Sequence, residues 1–98
     1  MANSQQELLK AKRQEILALA EAHGAGNIRV FGSIVRGDNT ERSDVDFLVQ
    51  MNQGRNLWDL IGLTQNLEEL LHCKVDVVTE GGLSPYLKER ILASAAPL

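Results

Sequence analysis

One cysteine, Cys73, stands in a chain of 98 residues. No internal disulfide can form, so packing and hydrogen bonds must hold the fold, and a cytoplasmic setting is expected. Long apolar runs are missing too. No stretch approaches the roughly 20 residues that span a bilayer. The opening MANSQQELLKAKRQEI has neither an uninterrupted apolar core nor a small-residue cleavage site, so no signal peptide is expected. Without secretion, the tripeptide Arg36-Gly37-Asp38 does not read as an adhesion signal. A basic excess is also absent: 10 Lys and Arg against 13 Asp and Glu give a net charge of −3. Phosphate-backbone binders carry basic surfaces, so stable nucleic-acid binding by this chain alone is not expected. There is no internal repeat, no low-complexity tract and no long linker, which leaves a single domain over 1–98. Neither Gly-x-x-x-x-Gly-Lys nor Gly-x-Gly-x-x-Gly occurs. His23 and His72 lack metal-ligand spacing to any cysteine, which argues against zinc.

What is present is a regular alternation of periods. Residues 4–23 have helical spacing through Leu8, Leu9, Ile16, Leu17 and Ala20, with Ser4 and Glu7 at capping-box separation and Gly24 as a stop. Residues 27–31, NIRVF, read as a strand, and 33–36 as a short helical turn. Residues 38–43 are polar and turn-forming. A second strand covers 44–50, a second amphipathic helix 56–72 with His72 at its dipole's negative end, and a third strand 73–79. Gly81-Gly82 is a turn. Ser84-Pro85 opens a last helix over 85–94, with Leu87 and Ile91 on its apolar stripe. Cys73 reads as a small buried hydrophobe. Trp58 and Tyr86 read as helix-face packing residues, with the lining of a base pocket or of a partner surface as the alternative for either. The element order is α-β-α-β-α-β-α.

Two carboxylates open the second strand. Period-two alternation puts Asp44, Asp46 and Leu48 on one face and Val45, Phe47 and Val49 on the other. The two aspartates lie roughly 6–7 Å apart at Cα, from a rise of about 3.3 Å per residue. Such neighbours repel and raise each other's pKa unless a cation lies between them, and no Lys or Arg has the spacing to neutralise them. Asp76 interrupts the apolar third strand. If the second and third strands are neighbours, it stands beside Asp46. An all-oxygen donor set suits a hard cation, Mg²⁺ above all when phosphates complete the shell. Upstream, Gly32-Ser33 ends the first strand and opens a helical turn, where backbone N–H groups and the hydroxyl favour phosphate. Arg36, one turn on, adds charge toward the same anion or braces the loop through Asp38 or Glu41.

Taken together, GSIVRGDNTERSDVDFLV, with Asp76 and the closing SPYLKERIL, resembles the nucleotidyltransferase superfamily that includes DNA polymerase β, and within it the minimal nucleotidyltransferases. The resemblance runs over nearly the whole chain. Asp38 stands where Glu is frequent, Ile34-Val35 is bulkier than usual, and a longer tail after AAPL is not expected.

The resemblance implies an α+β fold, a small mixed three-stranded sheet with helices packed on it. It implies that Asp44, Asp46 and Asp76 are catalytic and bind two Mg²⁺ ions. Asp76 would also help deprotonate the incoming hydroxyl. Gly32, Ser33, Arg36 and Ser43 would bind the nucleotide, with ATP as substrate. It further implies an antitoxin that transfers AMP to a tyrosine of a cognate HEPN-type toxin. Two alternatives stay open: neutralisation of the partner by binding alone, and a small-molecule or RNA-end acceptor.

Overall fold

Residues 3–98 are described by the structure, a computed structural model. The part of the signal-peptide reading that falls on residues 1 and 2 lies outside them. The helix expected over 4–23 is two helices, α1 (Ser4–Ala11) and α2 (Arg13–Ala22), which meet at Lys12 with ψ 8°. The cap of α1 is Asn3, not Ser4. Its side chain accepts from the Gln6 backbone N–H at 3.0 Å, and the Gln6 side chain accepts from the Asn3 backbone N–H at 3.0 Å. Both registers satisfy the capping-box spacing. The earlier one prevails because the Asn3 amide also exchanges two hydrogen bonds with Asn39, at 2.6 and 3.1 Å.

The strands are β1 (Ala25–Phe31), β2 (Val45–Met51), β3 (Val75–Thr79) and β4 (Ala96–Pro97), in the order β3-β2-β1-β4. β1 runs antiparallel to β2, and β2 parallel to β3, so the sheet is mixed as expected. The crossover between the parallel pair is α4 (Leu57–Leu71), the connection such a pair requires. The fourth strand was not foreseen. It is two residues long and pairs with Arg29 and Val30 at the edge of β1. β1 also starts earlier than residue 27, because Asn27 (φ 48°) sits in a register shift between Gly26 and Arg29. Asn tolerates that left-handed conformation, which lets the strand resume beyond the irregularity.

The core lies on one side of the sheet. Val45, Phe47, Val49, Val75 and Val77 meet Ile16 and Ala20 of α2 and Leu63, Leu67 and Leu71 of α4. The opposite side of β2 and β3 carries Asp46, Leu48, Asp76 and Val78. A short helix, α3 (Ser33–Arg36), follows β1, and a 3₁₀ turn (Glu80–Gly82) follows β3. The last helix, α5 (Pro85–Ser94), starts as expected, with the Ser84 side chain accepting from the Leu87 N–H. Its apolar stripe is not buried: Leu87 is 48% exposed, and α5 contributes no buried residue. Trp58 and Tyr86 are not packing residues either, at 78% and 69% exposed. Cys73 is half-buried ahead of β3, where burial and then the charges of Asp44 and Glu68 push its thiol pKa up. His72 ends α4 as a left-handed cap (φ 53°) whose backbone N–H donates to the Glu68 carbonyl.

Candidate active site

β1 and β2 are antiparallel, so the end of β1 faces the start of β2, with Phe31 opposite Asp46. The chain then turns at Gly32, with φ 79° and ψ −148°, a combination open in practice only to glycine. A Cβ on Gly32 would run into the Asp46 carboxylate. The missing side chain is what lets the turn and the carboxylate lie against each other. Ser33 opens α3, and the first N–H groups of a helix have no acceptor within it. α3 closes at Gly37, in the left-handed region.

Asp76 stands directly across from Asp46 in the parallel register of β2 and β3. The arrangement anticipated from the strand pattern is therefore present: two strands bring two carboxylates side by side, and Asp44 precedes them. Asp44 and Asp76 are exposed and Asp46 is half-buried. Partial burial, then the charges of Asp76 and Asp44, push the Asp46 carboxyl above its ordinary pKa, and Arg36 opposes this. An acid raised by neighbouring acids is a site where a cation is favoured. The donors are all carboxylate oxygens, the chemistry a hard cation takes. Among the described residues, however, no three His, Cys, Asp or Glu side chains close around a single point. The set fits a metal by the chemistry of its donors, with the carboxylates spread along one face.

The other predicted residues divide. Arg36 pairs with Asp38 at 3.3 Å on the surface, so it braces the loop as one of its two expected roles. Ser43 is engaged in the loop itself. Its hydroxyl accepts from the Thr40 N–H at 2.8 Å, and its carbonyl accepts from Gln5 at 2.7 Å. Sequence reasoning missed the group behind this loop. Gln5 and Asn39 are both buried, and the Asn39 amide donates to Gln5 at 2.7 Å. These bonds tie residues 38–43 to α1 and so fix where Asp44 begins. No periodicity marks them; a polar residue in the loop carries no sign that it will be buried.

Two grooves flank the sheet. The roomier, about 500 Å³, lies between α1, α3 and β4 and contains none of the three aspartates. The other, about 310 Å³, lies between α4 and β3 and has Asp76 in its wall. The carboxylates, not the volume, locate the site, because only they supply chemistry.

Paired aspartates on the sheet, beside a glycine turn that opens a helix, define a nucleotidyl-transfer scaffold. Residues 12–97 match the family described as the nucleotidyltransferase domain, and the chain belongs to that family. A relative from Methanocaldococcus jannaschii, MJ0435, provisionally named a protein adenylyltransferase, is 40% identical over 85% of this chain and 89% of its own length. The protein adenylyltransferase MntA of Thermococcus cleftensis is 39% identical over 87% of this chain and 83% of its own. Among solved structures, one provisionally described as a minimal nucleotidyltransferase superposes with a TM-score of 0.86 at 48% identity, covering 94% of each chain. A toxin-antitoxin structure with AMP-PNP shares the fold, with a TM-score of 0.74 at 23% identity over 86% of this chain and 69% of its own. No helix among the described residues is long and apolar enough to cross a membrane.

Proposed function

We propose that the protein transfers AMP from ATP to a tyrosine hydroxyl of a HEPN-type toxin and acts as its antitoxin in the cytoplasm. The observation that carries the reading is the register of Asp46 against Asp76 beside the Gly32 turn. The protein adenylyltransferase name of MntA supports a protein acceptor, and the toxin-antitoxin neighbour supports the kind of partner.

In this reading, Asp44, Asp46 and Asp76 would hold two Mg²⁺ ions. When bound, the ions would supply charge neutralisation for the transfer. The N–H groups at Ser33 and its neighbours, with the serine hydroxyl, receive the triphosphate, and Arg36 adds positive charge nearby. Ser43 serves the nucleotide by holding the loop that carries Asp44. The acceptor oxygen bonds to the α-phosphorus as the bond to the β-phosphate oxygen breaks. Pyrophosphate leaves with the electron pair, and the hydroxyl proton passes to Asp76. Catalysis is positioning and electrostatics, as in other transfers to phosphorus.

The test is transfer of AMP from ATP and Mg²⁺ to a purified HEPN-type partner, read as a mass gain of one AMP. Asp44→Asn and Asp46→Asn are expected to lower transfer more than about 100-fold. Asp46→Asn is also expected to melt at or above wild type in chelator, because it removes a charge facing Asp44 and Asp76. Wild-type turnover in either variant overturns the assignment.

A further inference from the structure

Leu57 and Trp58 open α4 with side chains 66% and 78% exposed, and Ile61, one turn on, is 37% exposed. Helical spacing puts all three on one stripe, which continues to Thr64 and Gln65. Ile61, Thr64 and Gln65 are also in the wall of the 310 Å³ groove, together with Leu60, Asp76 and Val77. The apolar stripe therefore runs without a break into the wall that holds the third carboxylate. From residue 57 to 65 it extends about 12 Å, at 1.5 Å per residue. That is the reach of a protein contact, and exposed Trp with adjoining aliphatics is the composition of an interface centre.

The charges on α4 itself have one sign. α4 contains Asp59, Glu68 and Glu69 and neither Lys nor Arg. Asp59 is held by Arg55 and its own cap, and the Glu68 carboxylate accepts from the Val75 N–H at 3.1 Å. Glu69 is left exposed, as are Asp44 and Asp76 at the far end, with Lys74 the single cation leading into β3. A partner that covers this face must match an apolar stripe with an acidic end.

Resting on the adenylyl-transfer reading, we propose that the α4 stripe and its groove are the docking surface for the acceptor protein, which presents an apolar patch with basic flanks. The docked chain brings its hydroxyl alongside Asp76. A small acceptor has no contact with Leu57 or Trp58, so the stripe confers preference for a protein over a free hydroxyl compound.

Trp58 is the chain's single tryptophan, and its emission reports the surface directly. The probes are a poly(Lys,Tyr) copolymer, a poly(Glu,Tyr) copolymer and N-acetyltyrosinamide. Titration with poly(Lys,Tyr) is expected to shift Trp58 emission, poly(Glu,Tyr) to leave it unmoved, and Glu69→Lys to weaken the first titration about tenfold. With ATP and Mg²⁺ present, Trp58→Ala is expected to lower the ratio of kcat/KM for poly(Lys,Tyr) to that for N-acetyltyrosinamide about tenfold. An unmoved Trp58 signal, equal response to the two copolymers, or an unchanged ratio overturns the proposal. Emission that shifts with the protein's own concentration assigns the face to a second copy instead, and also overturns it. An intact titration with no AMP transferred to any acceptor overturns the adenylyl-transfer reading, and leaves the surface as that of a binding partner only.

Discussion

Gly32 sets the closest approach in the site, and its conformation and its missing Cβ act together. An alanine there must adopt a strained backbone and meet the Asp46 carboxylate. Strain of this kind costs about 1–3 kcal/mol. Gly32→Ala is expected to lose that much stability in urea unfolding, and to lose AMP transfer as Asp46 is displaced. Wild-type transfer in this variant would separate the turn from the chemistry. At this scale the sequence was most informative where alternation decides the outcome. Asp44 and Asp46 could be put on one face, and Asp76 beside Asp46, because a strand's side chains leave no other choice once neighbours are paired. Trp58 and Tyr86 were misread for the converse reason. Helical spacing says which residues share a face, not whether anything covers it.

The two polar segments that hold elements in place show what a sequence conceals. The loop over 38–43 reads as polar and turn-forming, yet Asn39 is buried and donates to both Asn3 and Gln5. Asn39→Leu leaves the Gln5 oxygen without its donor, and an unsatisfied buried group costs about 1–3 kcal/mol. Urea denaturation of the variant is expected to show that loss, with transfer lowered through Asp44. α4 depends on a cap of the same sort. The Asn56 side chain accepts from the N–H groups of Trp58 and Asp59, so Asn56→Ala is expected to cost about 1 kcal/mol. In return the Asn56 N–H donates to the Asp59 carboxylate, which holds its pKa below the ordinary 3.8, and Arg55 adds to this. A lowered folded pKa gives stability that is present above the unfolded value and is lost as pH falls through the folded one. Thermal melts of Asp59→Asn should therefore fall less steeply than wild type below about pH 4. Helix 56–72 was legible from its apolar period. The two-residue β4 was not, since it depends on pairing with a strand far back in the chain, and the break at Lys12 has no glycine or proline to signal it.

For the molecule as a whole, the core and the site occupy opposite faces of β2 and β3, so charge can change on one without opening the other. Parallel strands need a crossover, and α4 is the one long helix between the two aspartate strands. A chain of this length has little stability to spare, so a ligand bound only by the folded state should shift its melting visibly. At 100 times its dissociation constant, a ligand adds about 2.7 kcal/mol. In a domain this size that corresponds to roughly 10–20 °C. ATP with Mg²⁺ at that excess is expected to raise the melting temperature on this scale in differential scanning fluorimetry. The rise should vanish with chelator, and it should vanish in Asp46→Asn although that variant melts no lower than wild type. Both should unfold in a single transition, because the valine and leucine layer under α2 and α4 is untouched. An equal rise with ATP and chelator would mean that the Gly32-Ser33 turn holds the triphosphate unaided. Asp44, Asp46 and Asp76 would then have no part in nucleotide affinity, and Arg36 would be left as the charge that opposes their mutual repulsion at Asp46.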